Sequence, residues 1–150
     1  PIQITKMFLL IGGTLIFAQG FFVRRFVGRV GEKRMALAGI LIGLIAFLML
    51  SILHGETWFF ISLFLMSTGV AFISPTLTSL TSLHSGEQDQ GFHLGVFRSS
   101  GSMAQAIGPL FAGLIFFKYG SSFAYFLGAL FLLIPFWFLF RVPQPETTSK

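Results

Sequence analysis

Within an otherwise apolar stretch, Arg98, Ser102, Gln105 and Pro109 recur at i, i+4, i+7 and i+11. That spacing places them on one stripe of a helix. A guanidinium, a hydroxyl and an amide in line can hold a solute by charge and hydrogen bonds, but they include no nucleophile with its base. A second line is Ser67, Ser74, Thr78 and Thr81, and Pro75, a residue with no N–H to give the helix ladder, falls between Ser74 and Thr78. The acids Glu32, Glu56, Glu87, Asp89 and Glu146 all lie outside the long apolar runs. No carboxylate is therefore placed to carry a proton inside one of them. The chain has no paired carboxylates, nucleophile elbow, HExxH or phosphate-binding loop, which argues against an enzyme. It also has no Cys, which removes disulfides, thiol chemistry and Cys-type zinc sites. His54, His84 and His93 show no metal-ligand spacing and read as solvated, as do Glu87 and Asp89. Neither a metal nor a cofactor is expected.

The elements that position these residues follow from composition. Of 150 residues, 54% are apolar and only 10% are charged, with 21 Phe and a mean hydropathy of +0.84. Soluble domains carry about 25% charged residues, so the solvent that this sequence suits is a bilayer. Five runs reach the length of about 17–25 residues that a spanning helix needs. They cover 7–23, 35–53, 58–83, 92–117 and 123–140, leaving 142–150 as a tail. Their periodicity is apolar all round, and the connections are too short to cover so much apolar surface in water. The expected fold is an all-α membrane protein with five transmembrane helices.

Charge sets the expected orientation. Arg24, Arg25, Arg29, Lys33, Arg34, Arg141 and Lys150 fall on one side of the five runs, and only Lys6 and Lys118 on the other. By the positive-inside rule the segment 24–34 and the tail are cytoplasmic in a cell (inner) membrane, and Pro1 starts outside. The net charge of +5 is thereby explained by membrane topology and not by a nucleic-acid surface. A first residue outside, with no signal peptide before it, leads to the expectation that upstream sequence is missing and that this is the C-terminal piece of a larger membrane protein.

Each polar feature has a plainer alternative. Ser and Thr in apolar helices bond their own backbone carbonyls, or else they line a path. Arg98 lies about 9 Å past Phe92 at the helical rise and either snorkels to the head groups or makes a structural ion pair, or else contacts a substrate or gate. Gly39 and Gly43 form a GxxxG whose simplest role is helix packing. Gly101, Ala104, Gly108 and Ala112 make a stripe of small residues beside the polar one, which would let another backbone approach.

Two segments carry a family resemblance. The run GFFVRRFVGRVGEKR from Gly20 to Arg34 resembles the short cytoplasmic Gly/Arg loop joining the second and third helices of each half of a major facilitator superfamily transporter. The run LGVFRSSGSMAQAIGPLFAG, residues 94–113, resembles the fifth helix of a half in the drug/proton antiporter branch. Before it, PTLTSLTS at 75–82 is similar to the preceding helix of tetracycline-transporter-like members. The resemblance implies that the five runs are helices eight through twelve of a twelve-helix transporter, most of its C-terminal half. The family's first-half loop uses an acidic residue that has no equivalent here, where position 24 is Arg. Only a gate or switch role therefore carries over to Gly20, Arg24, Arg25, Arg29 and Gly31. Pro75, Gly101, Gly108 and Pro109 are expected to bend or pack their helices.

The implied function is secondary active transport, with proton-coupled efflux of small amphipathic molecules by alternating access. Arg98, Ser102, Gln105 and Thr78 are expected along the substrate path. The partners implied are membrane lipids, a small-molecule substrate and the N-terminal half of the same transporter, with no nucleic acid. The alternative is a non-transporting membrane scaffold or subunit whose polar faces bind partner helices.

Overall fold

The computed structural model describes residues 2–85 and 89–142, the side chains of Gln3, Phe22, Arg24, Phe26 and Arg29 excepted. The tail 143–150 and Glu87 lie outside the described residues. Among the described residues six α-helices follow one another: α1 (Ile2–Phe17), α2 (Arg24–Val30), α3 (Glu32–Ile52), α4 (Glu56–His84), α5 (Gln90–Tyr119) and α6 (Ser121–Arg141). A π segment, Ala18–Val23, joins α1 to α2 without a break. Among the described residues five helices are long and apolar enough to cross a membrane, so the fold is an all-α membrane fold. In lipid a helix satisfies every backbone group internally. Accordingly the helices run a little past the apolar runs at nearly every end.

One expectation is corrected. The basic segment 24–34, read as a loop, is helix except at Gly31. Nothing between Arg24 and Val30 breaks a helix, and at the membrane edge the helical hydrogen bonds are the best available. The interruption comes where Gly31 takes φ 88° and ψ 149°, a region open essentially to glycine alone. Gly120 makes the α5–α6 turn in the same way, at φ 86° and ψ 170°.

The packed centre is α3 with α4 and α6. Ala36, Ile40, Leu80 and Leu139 are buried there, with Ile73, Leu77, Leu132 and Phe136 against them. Lipid tails are as apolar as these side chains, so close van der Waals contact and not exclusion from water must hold the helices together. The α3–α4 crossing meets that need with small residues. A Cβ added to Gly39 would lie 2.9 Å from the Gly69 carbonyl oxygen, and one added to Gly69 would lie 2.8 Å from the Gly39 oxygen. The backbones touch. Along α4 the buried residues include Ser62, Gly69 and Thr76, one per seven positions, and Gly69 lies against α3.

Antiparallel α6 is fastened to α3 along its length. At one end Lys33 Nζ donates to the Phe140 carbonyl at 2.9 Å and lies over the Phe140 ring. In the middle the Phe47 ring lies against Gly128, and at the other end Ser51 Oγ donates to the Ser122 carbonyl at 2.9 Å. Lys33 thus places a cation on an otherwise unsatisfied carbonyl at the C-terminus of α6. Lys33→Met, which keeps the stem and removes the charge, is expected to lower stability by about 1 kcal/mol, read as a shifted unfolding midpoint in mixed detergent micelles.

Candidate functional site: the polar stripe of α5

Helix α5 differs from its neighbours in being buried nowhere along its 30 residues. It is continuous through Pro109 and ends at Gly120. Arg98, Ser102 and Gln105 are all exposed, on the one stripe that their spacing defines. Among the described residues none of the three has a hydrogen-bond or ion-pair partner, and neither Ser99 nor Ser100 bonds a backbone carbonyl.

The contrast with α4 is sharp. There Ser67 donates to the Leu63 carbonyl at 2.8 Å, Thr68 to Phe64 at 2.9 Å, Thr78 to Ser74 at 2.9 Å and Thr81 to Leu77 at 2.9 Å. Thr76 bonds the carbonyls of Phe72 and Ile73 beside Pro75. These hydroxyls are satisfied within their own helix, which is the plainer of the two readings open to them in sequence. Thr78 is half-buried and keeps its oxygen lone pairs. It shares no hydrogen bond with the α5 stripe. The two helices are tied where the chain turns, by Gln90 Nε2 donating to Ser82 Oγ.

The small residues of α5 are equally free. A Cβ at Gly101 or Gly108 would meet nothing within 4 Å. The packing that their spacing suggests is thus not made with any described helix. Gly39 and Gly43, by contrast, are buried at the α3–α4 crossing.

At the basic end Gly20 lies exposed within the π segment and Arg25 is exposed on α2. Gly31 is the turn into α3. The side chains of Arg24 and Arg29 lie outside the described residues. Sequence reasoning treated Lys33 and Arg141 only as topological charges. Arg141 stacks on Trp137, its guanidinium 4.6 Å from the ring centroid. Gly69 was also missed, although Ser62, Gly69 and Thr76 recur as small residues at seven-residue spacing. Among the described residues no three His, Asp or Glu side chains cluster as metal ligands would. His54 Nε2 pairs with Ser122 Oγ at 3.3 Å, and His84 Nδ1 with the Leu80 carbonyl at 3.0 Å.

A stripe of unpartnered polar groups on a membrane helix has few stable settings. Lipid would leave every group unsatisfied, so such residues face other protein or a water-filled path. Here the groups are a cation, two kinds of hydrogen-bonding side chain and no acid. They can bind and orient a solute.

Comparison with known proteins bears on the chain as a whole. The model of the Major Facilitator Superfamily matches residues 3–150. Major facilitator superfamily domain-containing protein 10 from Homo sapiens is 30% identical over 149 residues, covering 99% of this chain and 32% of the human protein. Methyl viologen resistance protein SmvA of Salmonella typhimurium strain LT2 is 35% identical over 99 residues, 63% of this chain and 20% of its own length. Among solved structures, the human organic anion transporter MFSD10 (TETRAN) superposes with a TM-score of 0.85 at 30% identity, over 92% of this chain and 32% of that one. The chain therefore spans about a third of the relatives that it matches over nearly its whole length.

Proposed function

Since the chain belongs to the Major Facilitator Superfamily, a family of transporters and not of enzymes, we propose that its helices form the C-terminal part of a secondary active transporter. In this reading it exports small amphipathic molecules in exchange for protons, by rocking against a facing N-terminal half. Family folds place the substrate near the midplane between repeats, and α5 is the helix that would border that path. The observation that carries the proposal is the unpartnered line Arg98, Ser102, Gln105 on an apolar helix. The names of the relatives support it in part, one being a resistance protein and another an organic anion transporter. A cation at Arg98 suits the second. Thr78 contributes an acceptor oxygen from α4. Gly20, Arg24, Arg25, Arg29 and Gly31 form the gate segment on the cytoplasmic side of an inner membrane, with the π segment supplying an irregular turn of the kind found at functional sites.

Gln105→Ala tests the stripe directly. In cells expressing the full natural polypeptide, the substrate concentration for half-maximal efflux is expected to rise about tenfold, the cost of one unmade hydrogen bond in a dry site. Membrane abundance should stay constant. Efflux kinetics identical to the unmodified protein would remove Gln105 from the path and favour a scaffold whose polar faces bind helices.

A further inference from the structure

A groove of about 620 Å³ opens between α1, α3 and α4. Its walls are Gly13, Phe17 and Ala18 from the first helix and its π segment, Ile42 from α3, and Phe64 and Phe72 from α4. Two threonines, Thr14 and Thr68, are the polar exceptions. The Thr68 hydroxyl is turned onto the Phe64 carbonyl at 2.9 Å. From Phe64 to Phe72 the groove runs about 12 Å along α4. It holds no charge and has room because Gly13 carries no side chain. Such a surface suits a hydrocarbon chain better than a polar solute.

What lies beyond its basic end identifies the rest of the occupant. Beside Ile42, the exposed face of α3 continues through Leu41 and Ala38 to Arg34, about 12 Å away at the helical rise. Arg25 stands exposed at the same end, on α2. Among the described residues neither arginine has a carboxylate within ion-pair distance. The nearby acid, Glu32, accepts from Ser79 Oγ at 3.4 Å and is half-buried. Both arginines therefore stand, unneutralised, toward the end of the groove that Ala18 and Phe72 mark, the end at which a lipid chain lying in it would carry a phosphate.

We infer that this groove binds an anionic phospholipid, with one acyl chain between Gly13, Phe17 and Phe72 and its phosphate against Arg34 and Arg25. The site does not depend on the transport reading. Because a tail leaves one hydrocarbon medium for another, the groove supplies fit and the arginines supply headgroup preference, on the order of fivefold for each.

The test uses the protein purified from membranes in mild detergent and exposed to equal amounts of phosphatidylglycerol and phosphatidylcholine with matched chains. Bound lipid is counted by native mass spectrometry. Retention should favour phosphatidylglycerol, and Arg25→Gln with Arg34→Gln should reduce that preference tenfold or more. Gly13→Leu fills the groove where a Cβ meets nothing within 4 Å, so it should fold normally. It should lower retention of both lipids while leaving their ratio unchanged. The inference fails if no lipid is retained, as when another protein segment closes the groove. It also fails if the arginine replacements leave the ratio intact, or if Gly13→Leu retains as much lipid as before.

Discussion

Gly69→Ala is expected to destabilise the protein by about 3 kcal/mol, the upper part of the range for overpacked interiors. The added methyl would sit 2.8 Å from the Gly39 carbonyl oxygen, 3.1 Å from the Gly43 amide nitrogen and 3.4 Å from the Gly43 Cα. All three neighbours are backbone atoms. No rotamer can move them, so the two helices must separate along the crossing and lose the contacts that hold them in lipid. Gly101→Ala supplies the control, because its Cβ would meet nothing within 4 Å. It should leave stability unchanged or slightly raised by the better helix propensity of alanine. Unfolding in mixed micelles with a rising fraction of denaturing detergent measures both. Equal midpoints for Gly69→Ala and the parent would mean that the α3–α4 crossing does not lie at Gly39 and Gly69.

Arg98→Ala is expected to cut efflux by tenfold or more at equal membrane abundance, with Arg98→Lys keeping an intermediate rate. A charge in a membrane span costs about 2.5–3.5 kcal/mol on insertion scales, and no described acid offsets it here. If Arg98 merely reached for head groups, lysine would replace it fully and alanine would ease insertion. Transport therefore separates the two roles where stability does not. A protonophore should abolish efflux by the parent. Efflux that survives the protonophore would overturn proton exchange, and full efflux by Arg98→Ala would overturn the role of α5 in the path.

Much of the architecture was legible because a bilayer imposes one rule on every residue. A long apolar run must be helix, and the five runs declared themselves by length. The segment 24–34 was not legible, because arginines suggest a loop where the backbone still gains from helix. Only the single glycine that departs from helical φ marked the true turn. The α5 stripe could be placed on one helix face from spacing alone. Whether its groups were partnered could not, since Ser67, Thr78 and Thr81 line up on one face of α4 in the same manner and have the opposite fate. The Gly39–Gly69 contact needed both helices at once. GxxxG announced one partner, but nothing in sequence says which glycine of another helix it meets.

The one-residue turn at Gly120 bears on how the protein reaches its membrane. With Gly120 alone between them, α5 and α6 are expected to insert together as a helical hairpin. Of the two, α6 is the more apolar and α5 carries the polar stripe. The partitioning of α6 therefore carries α5 in with it, and lengthening the turn with a polar spacer would leave α5 to insert on its own hydropathy. Biogenesis, and not only the folded state, has reason to keep this connection at a single glycine.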